Sequence, residues 1–421
     1  MNMRVALKRL LRWLAISILF VVVLFGAVAG VVGRHAGYPA PSGPYAVGRT
    51  TFRWEDASRP ETMTSREDDH REVVVHLWYP ADTTEGARPA PYVPDLEAIR
   101  GALEERSTLE RFKLFGLRFI RSHALADPEL AQARDRYPVL LFSPGNDTNG
   151  AFYSAVIEEL VSHGHVVAAI DHPYDVMAAR LSDGRVATFA GERWPAPTAN
   201  AAGGEDDHVR FYRERVGVRA EDARFVLNRL EALNAAPESR FHARLDLAAV
   251  GIFGHSVGGV TAGTACLLDP RMRACLNMDG LMAGQAYLPG ANGVGPRQSF
   301  MLLMKAVLPP SDDRLAAWGV SREQWQAVYA EGESRLRAQV RGVESESYRA
   351  VIRGATHGSF TDVPLLSPSL RPAETRQKAR IMQAVRAYTL AFFDKQLRDG
   401  RAPLLEVSAQ DYPEVMLEVY V

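Results

Sequence analysis

Cysteine is almost missing. The 421-residue chain has two, Cys266 and Cys275, and no C-x-x-C pair. A zinc knuckle and a disulfide framework are therefore excluded. The two cysteines fall in a presumed helix and the strand after it. A disulfide between them would need an oxidising compartment, and a pair of buried free thiols is the reading favoured here. Net charge is equally scarce. Forty-nine basic residues against 50 acidic ones leave −1, which gives no electrostatic reason to expect a nucleic-acid partner. No internal repeat or low-complexity tract occurs. What remains is ordinary globular composition, 47% hydrophobic and 24% charged, long enough for one large domain or two smaller ones.

One long apolar run stands at the N-terminus. Arg4, Lys8, Arg9 and Arg12 precede an uncharged stretch from Trp13 to Val32. About twenty such residues span a bilayer as a helix, and the basic flank places the N-terminus inside. Ala27-Val28-Ala29 also resembles a signal-peptidase site. Residues 1–33 are expected to be a removed signal or a membrane anchor, with the body of the chain, 34–421, exported in either case.

Past a Gly/Pro-rich linker, two strands flank a polar turn at residues 55–70, and the second reads EVVVHLWYP. Glu67, Asp68, Asp69 and His70 sit together in that turn, where a solvated loop is a better reading than a metal site. Residues 95–122 read as helices, either a packed cap or a membrane-interface surface. From residue 137 the chain alternates. YPVLLFS and HVVAAID read as buried parallel strands around a helix at 153–163, followed by a short hairpin at Asp183-Gly184 and a helix over 209–233. Strands over 274–278, 300–304 and 348–352 follow, with a polar helical insertion at 311–342 where a lid would fit. A closing helix over 374–397 carries Ile381, Val385, Tyr388 and Phe392 on one stripe. The pattern is α/β with a mostly parallel sheet.

The stretch that organises the rest is Ala248 to Gly259, AAVGIFGHSVGG. A buried strand runs into Gly254-His255-Ser256-Val257-Gly258, and small residues then open a helix. This is G-x-S-x-G in the strand–turn–helix setting of a nucleophile elbow. A serine hydroxyl attacks only when a base takes its proton, and the base needs an acid to fix its tautomer. On such elbows the partners follow in the order Ser, acid, His. Asp279, directly after the next strand, and His357, in the small-residue loop GATHGS, satisfy that order. Asp171, Asp269 and Asp362 are rival acids, with Asp171 ranked first. His255, His163, His165 and His172 read as structural. The oxyanion would take backbone N–H groups from Val257 and from the Ser143-Pro144-Gly145-Asn146 loop, where Asn146 is the candidate because Pro144 has no N–H. No metal or organic cofactor is implied.

The segments GPYAVGRTTFRW, REVVVHLWYPA, YPVLLFSPGN, HGHVVAAIDHPYD, VGIFGHSVGG, LNMDG and GATHGSFTD extend the pattern. Together they resemble the plasma-type platelet-activating-factor acetylhydrolases and related bacterial esterases of the α/β-hydrolase fold. That resemblance implies Ser256 as nucleophile, Asp279 as acid, His357 as base and Gly145-Asn146 as oxyanion loop, acting on carboxylic esters. Three features depart from the family. Ser143-Pro144-Gly145 stands where Ser-His-Gly is frequent, Val257 where an aromatic is common, and the Asp279–His357 interval is long. Phospholipid specificity is therefore not carried over. The alternatives are an amide or thioester hydrolase with the same residues, and a catalytically silent binding protein.

Overall fold

The computed structural model describes residues 12–13, 16–17, 19, 38–82, 86–104, 117–118, 120–195, 207–280, 297–317, 319–341, 345–366, 371–406 and 411–420. Strands β1 (Ala46–Pro60), β2 (His70–Ala81), β3 (Pro89–Pro91) and β4 (Arg121–Ala126) come first. They are followed by β5 (Tyr137–Ser143), β6 (Val166–Asp171), the small hairpin β7 (Ala178–Arg180) and β8 (Val186–Thr188), and then β9 (Leu245–His255). The chain continues with β10 (Met272–Met278), β11 (Ser299–Lys305), β12 (Ser347–Ile352) and β13 (Val415–Tyr420). All but the hairpin belong to one eleven-stranded sheet of order β13-β12-β11-β10-β9-β5-β6-β2-β1-β4-β3. From β12 to β6 neighbouring strands are parallel; β13, β2 and β1 each pair antiparallel with the strand inside them.

Helices α1 (Leu96–Glu104), α2 (Ser154–Ser162), α3 (Asp207–Ala235), α4 (Val257–Leu268), α5 (Asp312–Ala317), α6 (Arg322–Arg341), α7 (Val363–Leu366) and α8 (Pro372–Arg398) complete the described regular structure. Parallel strands need helical crossovers, so both sheet faces are covered and the central strands carry apolar residues throughout. β5 is buried at all seven positions. Its Leu140 and Phe142 pack with Ile157 and Val161 of α2 and with the α8 stripe Ile381, Val385, Tyr388 and Phe392. Val139 and Leu141 point the other way, toward Val226 and Leu230 of α3 and Val260 of α4. Burying each such side chain contributes about 1.5–3 kcal/mol.

Several expectations are corrected. Residues 95–122 are not helical throughout: α1 ends at Glu104, 105–116 lie outside the described residues, and Arg121-Ser122 begin β4. β4 carries little pattern because it is short, with only Ser122 and Ala124 facing inward. Ala98, Ile99, Leu117 and Ile120 join the main core, as a packed cap requires. The polar turn is shorter than 55–70, because Glu55 and Asp56 remain paired with Glu72 and Arg71. The 311–342 insertion is the β11–β12 crossover, with Leu336 and Val340 of α6 packed into the core on the α3–α4 side. Cys266 and Cys275 are joined in a disulfide and are not free thiols. The end of α4 lies beside β10, with Cα atoms 6.5 Å apart, inside the span a disulfide bridges. Among the described residues no helix is long and apolar enough to cross a membrane. The apolar run 13–32 lies outside them except for a few positions, of which Trp13, Ile16 and Leu19 are exposed.

Candidate active site

The parallel strands end together. Ser143 is level with Gly254, His255 with Met278, and Met278 with Leu303. The loops that follow therefore gather at one edge, where ligands bind in open α/β sheets. Ser256 lies between β9 and α4 with φ 57° and ψ −125°, a left-handed conformation that turns its side chain out of the strand. The cost is local strain, which the flanking glycines make tolerable. A Cβ on Gly254 would overlap the Gly258 carbonyl, and one on Gly258 would overlap the Ser143 carbonyl. Asn277 locks the neighbouring turn, its Oδ1 accepting the Gly280 N–H at 2.8 Å.

The three residues singled out by order meet in space. His357 Nε2 lies 3.0 Å from Ser256 Oγ, and His357 Nδ1 lies 2.6 Å from Asp279 Oδ2. A carboxylate can only accept, so Nδ1–H donates to Asp279 and Nε2 is left to accept the serine proton. Asp279 is buried, its backbone N–H bonds to Leu303 O at 2.9 Å, and its Oδ1 accepts the Lys305 N–H at 3.2 Å. The Lys305 ammonium stands 3.4 Å from Asp279 Oδ2. The His357 imidazole is half-exposed, open to an incoming molecule.

The loop after β5 lies against the elbow: a Cβ on Gly145 would sit 3.5 Å from Ser256 Cβ. Its Gly145 N–H is taken, donated to Tyr153 Oη at 3.1 Å. Among the described residues the Asn146 N–H has no partner. Neither does the Val257 N–H, because the first bonds of α4 are made by Gly259 and Val260 to Ser256 O. Two free donors thus flank Ser256, one from each expected segment, at the positive end of α4.

The rival acids are occupied elsewhere. Asp171 accepts from the Asn149 side chain and the Gly150 N–H, Asp269 pairs with Arg271, and Asp362 accepts from Tyr92 and the Ala155 N–H. His163 lies by Glu159, His165 by Asp394, and His172 bridges Ser143 and Asp222. His255 is neutral: burial, with His357 close by, pulls its pKa down to about 3. It links Tyr153 to the His357 carbonyl. In the loop before β2, Asp69 is bound to Thr64 and Arg185 and Asp68 lies by Arg66. Among the described residues no group of His, Cys, Asp and Glu is arranged to hold a metal.

Tyr153, Lys305, Asn277 and Arg219 were not expected. Asn277 lies within the LNMDG segment and acts locally on Gly280, whereas Tyr153, Lys305 and Arg219 act through the tertiary fold, with no motif spacing to mark them; Arg219, for example, reaches the Ser143–Asn146 loop from the middle of α3.

The chain as a whole is similar to several known proteins. A probable 1-alkyl-2-acetylglycerophosphocholine esterase of Arthroderma benhamiae is 24% identical, the match covering 93% of this chain and 96% of that one. The platelet-activating factor acetylhydrolase of Canis lupus familiaris is 25% identical over 59% of this chain and 56% of its own length. Among solved structures, a ferulic acid esterase from Streptomyces cinnamoneus superposes with a TM-score of 0.66 at 26% identity, over 90% of this chain and 98% of that one. The model of the family described as platelet-activating factor acetylhydrolase, isoform II, matches residues 30–287, a span that holds the β5 loop, the elbow and Asp279. The chain belongs to that family, and it is a carboxylic ester hydrolase of α/β-hydrolase fold.

Proposed function

We propose that this enzyme cleaves short-chain acyl or phospholipid-like esters through an acyl-enzyme on Ser256. The observation that carries the reading is the Ser256–His357–Asp279 relay, with contacts of 3.0 and 2.6 Å beside two unpartnered N–H groups. His357 takes the serine proton as Oγ attacks the ester carbonyl, and Asp279 holds the imidazole and stabilises its cation. The Val257 and Asn146 N–H groups receive the oxyanion. As the tetrahedral species collapses, His357 returns the proton to the leaving alcohol. Water, activated by the same imidazole, then frees the acid. The bond cleaved is the ester C–O, and no cofactor takes part.

The name of the Arthroderma relative favours an acetyl group on a glycerophospholipid alcohol, whereas ferulic acid is an aromatic acid, so the acyl group stands open between acetyl and an aromatic acyl. Export belongs to the same proposal, with residues 1–33 as signal or anchor. The Cys266–Cys275 disulfide supports an oxidising compartment.

The test uses full-length protein with p-nitrophenyl acetate, butyrate and octanoate, the matching anilides, and a ferulate ester, beside Ser256→Ala. A fluorophosphonate label located by mass spectrometry runs in parallel. Ester turnover lost in Ser256→Ala, with the label on Ser256, is the expected result. Folded wild-type protein with neither turnover nor label would replace it with the binding-protein reading.

A further inference from the structure

Arg219 is a fully buried cation without a carboxylate of its own. It projects from α3 into the core beneath the loop that follows β5, with 0% of its surface exposed. The acids nearby are committed to other arginines: Asp175 to Arg215 at 2.7 Å and Asp222 to Arg71 at 2.6 Å. Arg219 instead spends its donors on the loop. Nη1 donates to Asn146 Oδ1 at 2.9 Å, and Nη2 donates to Ser143 Oγ at 3.2 Å and to the Pro144 carbonyl. Its Nε has no partner among the described residues. A buried charge lacking a counter-ion is destabilising, so a purely structural account of this residue is incomplete.

The geometry of one peptide unit suggests the missing part. A trans peptide points its C=O and N–H in opposite directions. In the Pro144–Gly145 unit the C=O end is held by Arg219 and the N–H end by Tyr153 Oη, at 3.1 Å. The plate is fixed at both edges. The next residue is restrained as well: the Asn146 carbonyl accepts from Thr148 Oγ1 at 3.1 Å, and the Asp147 N–H bonds to Asp175 O at 2.9 Å. Of the backbone groups of Asn146, its N–H is the one left over.

We propose that Arg219 is a positioning residue for the oxyanion site. Its guanidinium clamps the Pro144–Gly145 peptide, fixes the direction of the Asn146 N–H, and places a positive charge on the carbonyl side of the donor loop. This rests on the proposed function, in which that N–H receives the oxyanion. Donors preorganised in a water-poor site act without reorganising as charge develops, so the clamp affects the transition state more than substrate binding.

The test measures Arg219→Met and Arg219→Lys in the full-length protein, with Tyr153→Phe releasing the other edge of the same peptide. Two readouts are taken on variants that melt above the assay temperature. One is kcat and KM on p-nitrophenyl acetate. The other is affinity for an aryl trifluoromethyl ketone, to which Ser256 Oγ adds to give a tetrahedral oxyanion. Arg219→Met is expected to lower kcat about tenfold or more. KM should stay within about threefold, and ketone affinity should fall in proportion to kcat/KM, as it does for groups acting in the transition state. Arg219→Lys recovers part of both. Ketone affinity held at the wild-type level, with or without a fall in turnover, overturns the proposal. If Arg219→Met does not fold, Tyr153→Phe decides by the same readout. Turnover that survives in Ser256→Ala would strike the proposed function instead, and the two failures are thereby separable.

Discussion

Tyr153 Oη and His255 Nδ1 lie 2.9 Å apart, and the direction of that bond is forced. His255 Nε2 is 3.0 Å from the His357 carbonyl, which can only accept, so the proton of the neutral ring sits on Nε2. Nδ1 is then the acceptor and Tyr153 the donor, leaving a tyrosine lone pair for the Gly145 N–H. One chain of hydrogen bonds thus runs from the β5 loop, through the residue before the nucleophile, to the loop that carries the base. His255→Ala leaves the buried Tyr153 hydroxyl without its acceptor and the His357 loop without its anchor. A loss of about 1–3 kcal/mol in urea unfolding is expected, with kcat reduced and KM little changed. Wild-type stability and kcat would show that the chain couples nothing.

Acid should weaken the fold through two histidines it holds neutral. Burial, reinforced by the Arg219 cation, pulls His172 down to about 4, and burial with His357 nearby pulls His255 to about 3. In the unfolded chain both titrate near 6.5. As the pH falls through 6.5 the unfolded chain takes up protons that the native one refuses, so stability drops until the native pKa values are reached. For His172 alone the limit is roughly 3 kcal/mol. Glu159 acts in the same direction at lower pH. Burial alone would raise it, but bonds from His163 and Ser42 and the charge of Arg386 hold it down at about 2. In the Asp362→Asn background, which removes the opposing titration of that raised buried carboxyl, urea midpoints should decline steadily from pH 7 to pH 4; a flat profile over that range would contradict the assignment.

The elbow glycines make a sharper structural prediction. A methyl at Gly258 would run into the Ser143 and Pro144 carbonyls, both backbone, so neither side can yield cheaply. Gly258→Ala should cost several kcal/mol, of the order seen for overpacking, or prevent folding. Gly358, next to His357, has nothing within 4 Å of where a Cβ would stand. Gly358→Ala should melt within a degree or two of wild type, measured by circular dichroism.

The Cys266–Cys275 disulfide closes a short loop, with a sequence separation of 9. In the chain-entropy account such a loop stabilises by about 2–3 kcal/mol. The Cys266→Ser/Cys275→Ser double variant should unfold at lower urea by that amount, while kcat on p-nitrophenyl acetate stays near wild type because the bridge lies at the far end of α4 from Ser256. A non-reducing mass spectrum showing two free thiols in the native protein would remove the basis of this expectation.

What was legible in the sequence follows from where the signal is local. The elbow needs small residues at fixed spacing, so Gly254 and Gly258 announced Ser256, and buried parallel strands announced themselves as the runs at 137–143 and 165–171. The α8 stripe was visible because one face of a long helix repeats. β4 was not, since six residues with two inward positions carry too little pattern, and residues 121–122 were swept into a helix. The core packing of the β11–β12 crossover leaves little mark in the sequence, because α6 is polar over most of its surface, and Leu336 and Val340 are few. Cys266 and Cys275 could be placed on adjacent elements, but not at a bonding distance. Arg219, Tyr153 and Lys305 belong to tertiary relationships between elements distant in sequence, for which a single chain offers no local mark.

The choice of acid is the most direct test of the site's geometry, because two buried aspartates behave oppositely. Asp279 faces the His357 imidazole, and Asn in its place would present an N–H₂ that favours the wrong tautomer. Asp279→Asn should lower kcat by about 10⁴-fold, with little change in melting temperature. Asp362, only a few residues beyond the histidine, turns away to Tyr92 and the N-terminus of α2. Burial, not offset by its hydrogen bonds and reinforced by Glu158, pushes its pKa well above the ordinary carboxyl range. A group whose native pKa is raised contributes most below its unfolded pKa, and that contribution is lost as the pH rises. Asn keeps an oxygen for the Ala155 N–H and never ionises. Asp362→Asn should therefore retain kcat within about threefold, and its melting temperature relative to wild type should rise from pH 4 to pH 8. An Asp362→Asn enzyme as inactive as Asp279→Asn would mean that the histidine draws on both acids, and the relay would have to be redrawn.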